Sequence, residues 1–261
     1  MSGPTRTELR LLFGPQVLVD VEPCIHGLDA LWPAEAGFVA HAVRKRQREF
    51  ASARVCARRL LSQMAIQPTA IVPDADRCPQ WPGGVVGSIT HTRHFSVVAL
   101  APANACTGLG VDIEPRTSIE VELSRIICLE PERDWLEQHP PDQRGLWVRR
   151  FFCAKEAFYK AQFPLTRRKL GFKDVHVRFA DPDSSSPHRF TIAVIGDAAD
   201  GSAPARPADR AGASRFPLEA RGRVVDGHDH LLAGVACPSV QPDADSEAWA
   251  AQPGAREPSR P

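Results

Sequence analysis

Three features of the amino-acid sequence predict a mixed α+β fold. They are a proline-free amphipathic stretch from Glu35 to Met64, a strand-turn-strand pattern from Val85 to Leu100, and a second amphipathic stretch from Leu146 to Gln162 that leads into further strand pairs. In the first stretch Phe50, Ala53, Ala57, Leu60, Leu61 and Met64 recur at three- and four-residue steps, the pattern of one long helix or two short ones. Its other positions carry Arg44, Lys45, Arg46, Arg48, Arg54, Arg58 and Arg59, which gather positive potential on one part of the molecule. Val85 to Leu100 then reads as two short strands around a polar turn at Thr90 to His94. Leu109 to Ile113 is a short apolar stretch stopped by Pro115. Residues two apart in an extended chain face the same way, so Asp112 and Glu114 should converge at its end.

The segment Leu146 to Gln162 is the clearest helix: Trp147, Phe151, Ala154 and Phe158 form its buried stripe, while Glu156 and Lys160 share another face one turn apart. A third acid and two lysines, Lys155 and Lys160, are thus presented together. FKDVHVRFA and HRFTIAVIG follow as strands, and the segment from Leu218 to Pro238 reads as a hairpin ending in a buried strand. Ten of the 24 prolines fall in the last 80 residues, mixed with Ala, Gly, Asp and Ser. Residues 196–216 therefore read as a flexible insertion and 238–261 as a disordered tail.

Composition bounds what this fold can serve. The 261 residues hold 32 Lys plus Arg against 31 Asp plus Glu, a net charge of +1, with 43% hydrophobic residues. That supports one sizeable core or two small ones, and the charge balance argues against a protein that coats nucleic acid or an anionic membrane. No run approaches the roughly 18 apolar residues of a membrane span, and the opening MSGPTRTELR lacks the apolar core of a secretory signal. A cytoplasmic protein is expected. The seven cysteines, odd in number and without a C-x-x-C pair, read as free thiols in a reducing compartment.

Asp112, Glu114 and Glu156 supply hard oxygen donors suited to Mg²⁺, which also takes phosphate oxygens. With lysines for bridging oxygens and arginines for a further phosphate, the residues together suit a pyrophosphate substrate. GVDIEP at Gly110 to Pro115, followed by FFCAKEAFYK at Phe151 to Lys160, resembles the paired signature of the 4'-phosphopantetheinyl transferases, G-[VI]-D-x-E and a later [FW]-[SCT]-x-K-E-[AS]-x-x-K. Two further blocks, Arg44 to Leu61 and Trp81 to Leu100, are similar to the group typified by enterobactin synthetase component D and the surfactin-type enzymes.

The resemblance implies two similar α+β halves related by a pseudo-twofold, over 1–105 and 106–237, in a monomer with the active site in the cleft between them. It implies transfer of the 4'-phosphopantetheine arm of coenzyme A to a serine of an apo acyl or peptidyl carrier protein, for siderophore or other secondary-metabolite synthesis. Carried over by position, Asp112, Glu114 and Glu156 would hold Mg²⁺, and Lys160 and Lys155 would meet the pyrophosphate. Arg46, Arg54, Arg77, Thr90 and His91 would contact the adenosine phosphates. In related enzymes an acid between the two motifs takes the serine proton; here Glu130 and Glu132 are available, and gapless counting favours Glu132. Both could instead be ordinary first-turn acids of a helix opened at Pro131. Cys153 has no nearby histidine in sequence to activate it as a nucleophile. A phosphohydrolase using the same acids and Mg²⁺, or an anion- or nucleic-acid-binding module using the arginine-rich helix, are the competing readings.

Overall fold

The computed structural model describes residues 2–180, 188–196 and 219–239. Beyond their first residues, the expected insertion over 196–216 and the expected tail over 238–261 lie outside the described residues. The chain opens with two elements that the sequence patterns did not reveal. Helix α1 (Arg6–Leu12) is closed by a capping box in which Thr5 accepts from the Glu8 amide and Glu8 reaches back to the Thr5 amide, and it buries Leu9 and Leu12. Strand β1 (Leu18–Pro23) follows. The expected helical stretch from Glu35 is two helices, the short α2 (Pro33–Ala36) and the long α3 (Arg44–Gln63). Buried Glu35 ties them together by accepting from Arg58 at 2.8 Å and from the Ile71 amide at 2.9 Å.

Strands β2 (Val85–His91) and β3 (Phe95–Pro102) form the expected hairpin, and β1 adds to the other edge of β3. The apolar face of α3, including Ala53, Ala57, Leu60 and Leu61, packs on this three-stranded sheet against Val85, Val98 and Leu100.

Strand β4 (Cys106–Pro115) begins a second, five-stranded antiparallel sheet. After it come α4 (Ser124–Ile127), α5 (Glu130–Glu137), α6 (Pro141–Thr166), β5 (Val175–Phe179), β6 (Arg189–Val194), β7 (Glu219–Asp226) and β8 (His230–Pro238), in the strand order β4-β8-β7-β6-β5. Helix α6 is longer than its periodic segment at both ends. It starts at Pro141, where proline is tolerated because a first-turn amide needs no intrahelical partner. Its stripe of Trp147, Phe151, Ala154 and Phe158 is buried as expected, against Val177, Ile192, Val224 and Val235.

The sheet changes between Pro102 and Cys106, but the first half is not self-contained. Leu9, Leu12 and Phe13 share one core with Val97 and Ala99 of β3, Val111 and Ile113 of β4, and Leu232 of β8. This common core places β2 beside the middle of β4, where the Val111 amide donates to Ser88 Oγ at 3.1 Å. Among the described residues no helix is long and apolar enough to cross a membrane. All seven cysteines are buried free thiols.

Candidate active site

Strand alternation sorts the residues of β4. Ile113 enters the shared core, while Asp112 and Glu114 turn to the face covered by α6. The helix can approach that face because residue 110 is glycine: a Cβ there would overlap the Ala157 carbonyl oxygen and lie 2.9 Å from the Ala161 amide nitrogen. With α6 this close, its Glu156 and Lys160 stand over Asp112.

Lys160 Nζ donates to Asp112 Oδ1 at 2.6 Å and to Thr90 Oγ1 at 3.1 Å, and the Thr90 hydroxyl donates to the same Asp112 oxygen at 3.0 Å. A strand from each sheet and helix α6 thus meet at one carboxylate. Its second oxygen, Asp112 Oδ2, is buried with no hydrogen-bond partner, an expensive state for an ionised acid. Glu114 accepts from Arg149 Nη1 at 2.9 Å. Its carboxyl is nonetheless held above the usual range, by burial first and by the charge of Asp112 second. Burial and then Asp112 raise Glu156 as well, against the opposing pull of Lys160. Two acids thus feel the repulsion of a third, and an orphaned carboxylate oxygen lies among them.

These residues fit a hard divalent cation, which would meet Asp112 Oδ2 and relieve the repulsion. Arg149 and Lys160 now occupy part of the acids' capacity, and among the described residues no three His, Cys, Asp or Glu side chains are already gathered as a closed metal-ligand set.

Beyond Thr90, at the end of β2, His91 meets the start of α3. Arg46 Nη1 lies 2.9 Å from His91 Nε2, and both side chains are partly exposed. The structure therefore gathers Asp112, Glu114, Glu156, Lys160, Thr90, His91 and Arg46 into one region. Arg77 sits exposed on the turn from Asp74 to Cys78, at a left-handed φ of 68°. That turn is tied to the end of α6 by Arg167, which donates to Asp74 Oδ2 at 2.6 Å.

Three expectations require correction. Lys155 does not share the face of Lys160. It is buried, and its ammonium donates to Ile127 O, Glu132 Oε2 and Phe172 O at 2.9, 2.7 and 2.9 Å, which uses all three of its protons. Burial holds its pKa below the usual lysine range despite Glu132. Glu132 is equally enclosed: it accepts from the Leu129 amide, from Lys155 and from the Val177 amide, each at 2.7 Å. A carboxylate engaged this fully cannot reach a serine of a docking protein, so the alternative of a first-turn acid is what Glu132 realises, with an added buried ion pair. Arg54 is the third case. It is buried over the Phe50 ring at 3.5 Å and donates Nε to Ile71 O, and desolvation, aided by Arg46 and Arg58 against Glu35, pulls it down to about 9. It braces α3 on the Ile71 segment.

Cys153 is wholly buried, and burial followed by the charges of Asp112 and Glu114 pushes its thiol well up, so it is no nucleophile. Sequence reading missed Arg149, for which no local signal exists, and Glu49. The latter's spacing of four and three residues from Lys45 and Arg46 was legible.

Comparison with known proteins gives this geometry its context. Residues 34–101 match the family model of the 4'-phosphopantetheinyl transferase N-terminal domain, and residues 108–205 match that of the 4'-phosphopantetheinyl transferase superfamily. The 4'-phosphopantetheinyl transferase Npt of Nocardia iowensis is 40% identical over 154 residues, covering 59% of this chain and 68% of that protein. The 4'-phosphopantetheinyl transferase PptT of Mycobacterium tuberculosis is 37% identical over 165 residues, covering 63% of this chain and 72% of that protein. Enterobactin synthase component D of Salmonella typhi is 31% identical over 139 residues, covering 52% of this chain and 56% of that protein. With both signature motifs lying at the junction of β4 and α6, the chain belongs to the 4'-phosphopantetheinyl transferase superfamily and is an enzyme of it.

Proposed function

We propose that the enzyme moves the 4'-phosphopantetheine arm of coenzyme A onto a serine hydroxyl of an apo acyl or peptidyl carrier protein, with Mg²⁺ bound by Asp112, Glu114 and Glu156. The observation that carries the reading is Asp112: a carboxylate held by Lys160 and Thr90 on one oxygen, with the other oxygen buried and unpartnered. When bound, the ion supplies positive charge against the pyrophosphate oxygens. Lys160 is placed to exchange its bond to Asp112 for a phosphate oxygen, and Thr90 keeps Asp112 oriented meanwhile. Arg46 and His91, with Arg77 on its exposed turn, suit the adenosine phosphates. The serine oxygen bonds to the phosphorus that carries the pantetheine while its proton passes to solvent water, and the bond from that phosphorus to the bridging oxygen breaks. Adenosine 3',5'-bisphosphate leaves.

Siderophore or other secondary-metabolite synthesis is the proposed setting, on the strength of the relative named enterobactin synthase component D. The enzyme is read as a cytoplasmic monomer. Incubating it with coenzyme A, Mg²⁺ and a panel of apo carrier domains tests the proposal. Intact-mass measurement should show the gain of one phosphopantetheine arm, abolished by a chelator. Coenzyme A cleavage with no mass gain on any carrier would favour a phosphohydrolase, and the carriers that react would identify the pathway class.

A further inference from the structure

Helix α3 begins under electrostatic strain. Its N-cap, Val43, offers no side-chain acceptor, its first turn holds no acid, and Arg44, Lys45 and Arg46 add positive charge where the helix dipole is already positive. One acid answers this charge, and it is buried. Glu49 has 6% of its side chain exposed, and its two oxygens face three basic groups. Oε1 lies 3.7 Å from Lys45 Nζ, and Oε2 lies 3.6 Å from both Arg46 Nη1 and His91 Nδ1. These separations hold the groups by charge while leaving their N–H donors short of full hydrogen bonds.

The geometry also sets the His91 ring. Arg46 has no acceptor, so at 2.9 Å it must donate to Nε2, which leaves Nδ1 as the protonated nitrogen, the one turned to Glu49. Arg46, His91 and Glu49 thus close a triangle across α3 and β2. The backbone that carries Glu49 is held in place, because Ser96 Oγ on β3 donates to the Glu49 carbonyl at 3.1 Å and pins that turn of α3 to the sheet.

We propose that Glu49 is a positioning residue for the terminal phosphate of the substrate: it holds Arg46 and His91 in one arrangement, by which coenzyme A is told from dephospho-coenzyme A. A buried carboxylate near an anion site would by itself repel the ligand, so its presence is accounted for by what it orders. Lys45 and Arg46 are long side chains, 64% and 48% exposed, that would otherwise sample many rotamers before a phosphate arrived. The inference rests on the reading above that Arg46 and His91 receive an adenosine phosphate.

Calorimetric dissociation constants for coenzyme A and dephospho-coenzyme A test it, with Glu49→Gln and Arg46→Ala measured beside the wild type. For Glu49→Gln the affinity for coenzyme A should fall by about fivefold to tenfold, the scale of one displaced charge-assisted contact, and the discrimination between the two ligands should narrow. If Arg46→Ala narrows the discrimination and Glu49→Gln does not, the positioning role is overturned and the phosphate reading stands. If neither narrows it, both are overturned. A gain in coenzyme A affinity in Glu49→Gln would show that the acid only repels phosphate, which also overturns the role. A readout on the wild type covers the case in which the variant does not fold. The ¹⁵N shifts of the His91 ring, assigned against His91→Gln, should report the proton on Nδ1, and a proton on Nε2 in the neutral ring overturns the triangle.

Discussion

Lys160 and Asp112 meet at 2.6 Å across the boundary between α6 and β4, and Thr90 of β2 bonds to both. Asp112 is 4% exposed, while Lys160 keeps 26% of its side chain accessible, so the acid is the fixed member of the pair and the lysine the one free to turn to a ligand. Losing the acid and losing the lysine should therefore differ in kind.

Asp112→Ala and Glu156→Ala should abolish transfer while leaving the fold intact, since each would remove an oxygen donor of the proposed cation site and metal-assisted charge stabilisation is worth several kcal/mol. Lys160→Met should retain Mg²⁺ binding and lower kcat, because it spares the acids. Transfer assays with added Mg²⁺, together with Mn²⁺ binding followed by electron paramagnetic resonance, separate the two classes. Normal turnover in Asp112→Ala would remove the metal-site assignment.

Glu132→Gln should act on stability. Lys155 would keep its two carbonyl partners but lose its counter-charge in a site where its own side chain is 1% exposed. Breaking one side of a buried ion pair typically costs about 3–5 kcal/mol. Chemical denaturation should show that loss. A variant of unchanged stability with kcat reduced by a factor of about 10² or more would restore Glu132 as the base.

Gly110→Ala should separate the two signature motifs. The new methyl would strike the Ala157 carbonyl, which is backbone and cannot swing aside, so α6 must move off β4. Overpacking of this kind costs about 1–3 kcal/mol or more. The midpoint of thermal unfolding should fall, and cation affinity should fall with it as Glu156 is drawn away from Asp112. Unaltered cation affinity would show that the close approach does not position Glu156.

Arg54→Met should lower stability without selectively weakening coenzyme A binding, because Arg54 is engaged with Phe50 and Ile71 O inside the first half. A loss of affinity for coenzyme A but not for dephospho-coenzyme A would return it to the phosphate site.

Acid should selectively remove the contribution of Asp226. Burial alone would raise this carboxyl, but the hydrogen bonds and charge of Arg150, with help from His188 and Arg116, hold it below the usual carboxylate range. A group whose folded pKa is depressed stabilises the fold above its unfolded value, about 3.9 for Asp, and loses that contribution as pH falls through the folded value. The stability gap between the wild type and Asp226→Asn should therefore be constant near neutrality and close below about pH 4. Denaturant midpoints measured from pH 7 to pH 3 check it; a gap that widens in acid would reverse the sign.

Periodicity was enough to determine the α+β class, the buried stripe of α6, the shared face of Asp112 and Glu114, and the one-turn pairing of Glu156 with Lys160. Each of these depends only on the two-residue repeat of a strand or the 3.6-residue repeat of a helix, which are properties of the local chain. Lys155 and Lys160 are five positions apart, about 140° around a helix, so local geometry already separated them. What it could not say was which of the two would be buried. That was decided when α4, α5 and the Phe172 segment closed over Lys155 and gave its charge a carboxylate and two carbonyls, with β5 holding that carboxylate in turn. The same holds for Glu132 and Arg54. A charged side chain is read as exposed or functional by default, because burying it is unfavourable unless partners are supplied, and here, beside the local Leu129 amide and Phe50 ring, the partners come from positions 17 to 45 residues away along the chain. Only the tertiary packing brings those groups together, and it therefore divided the charged residues between the core and the active site.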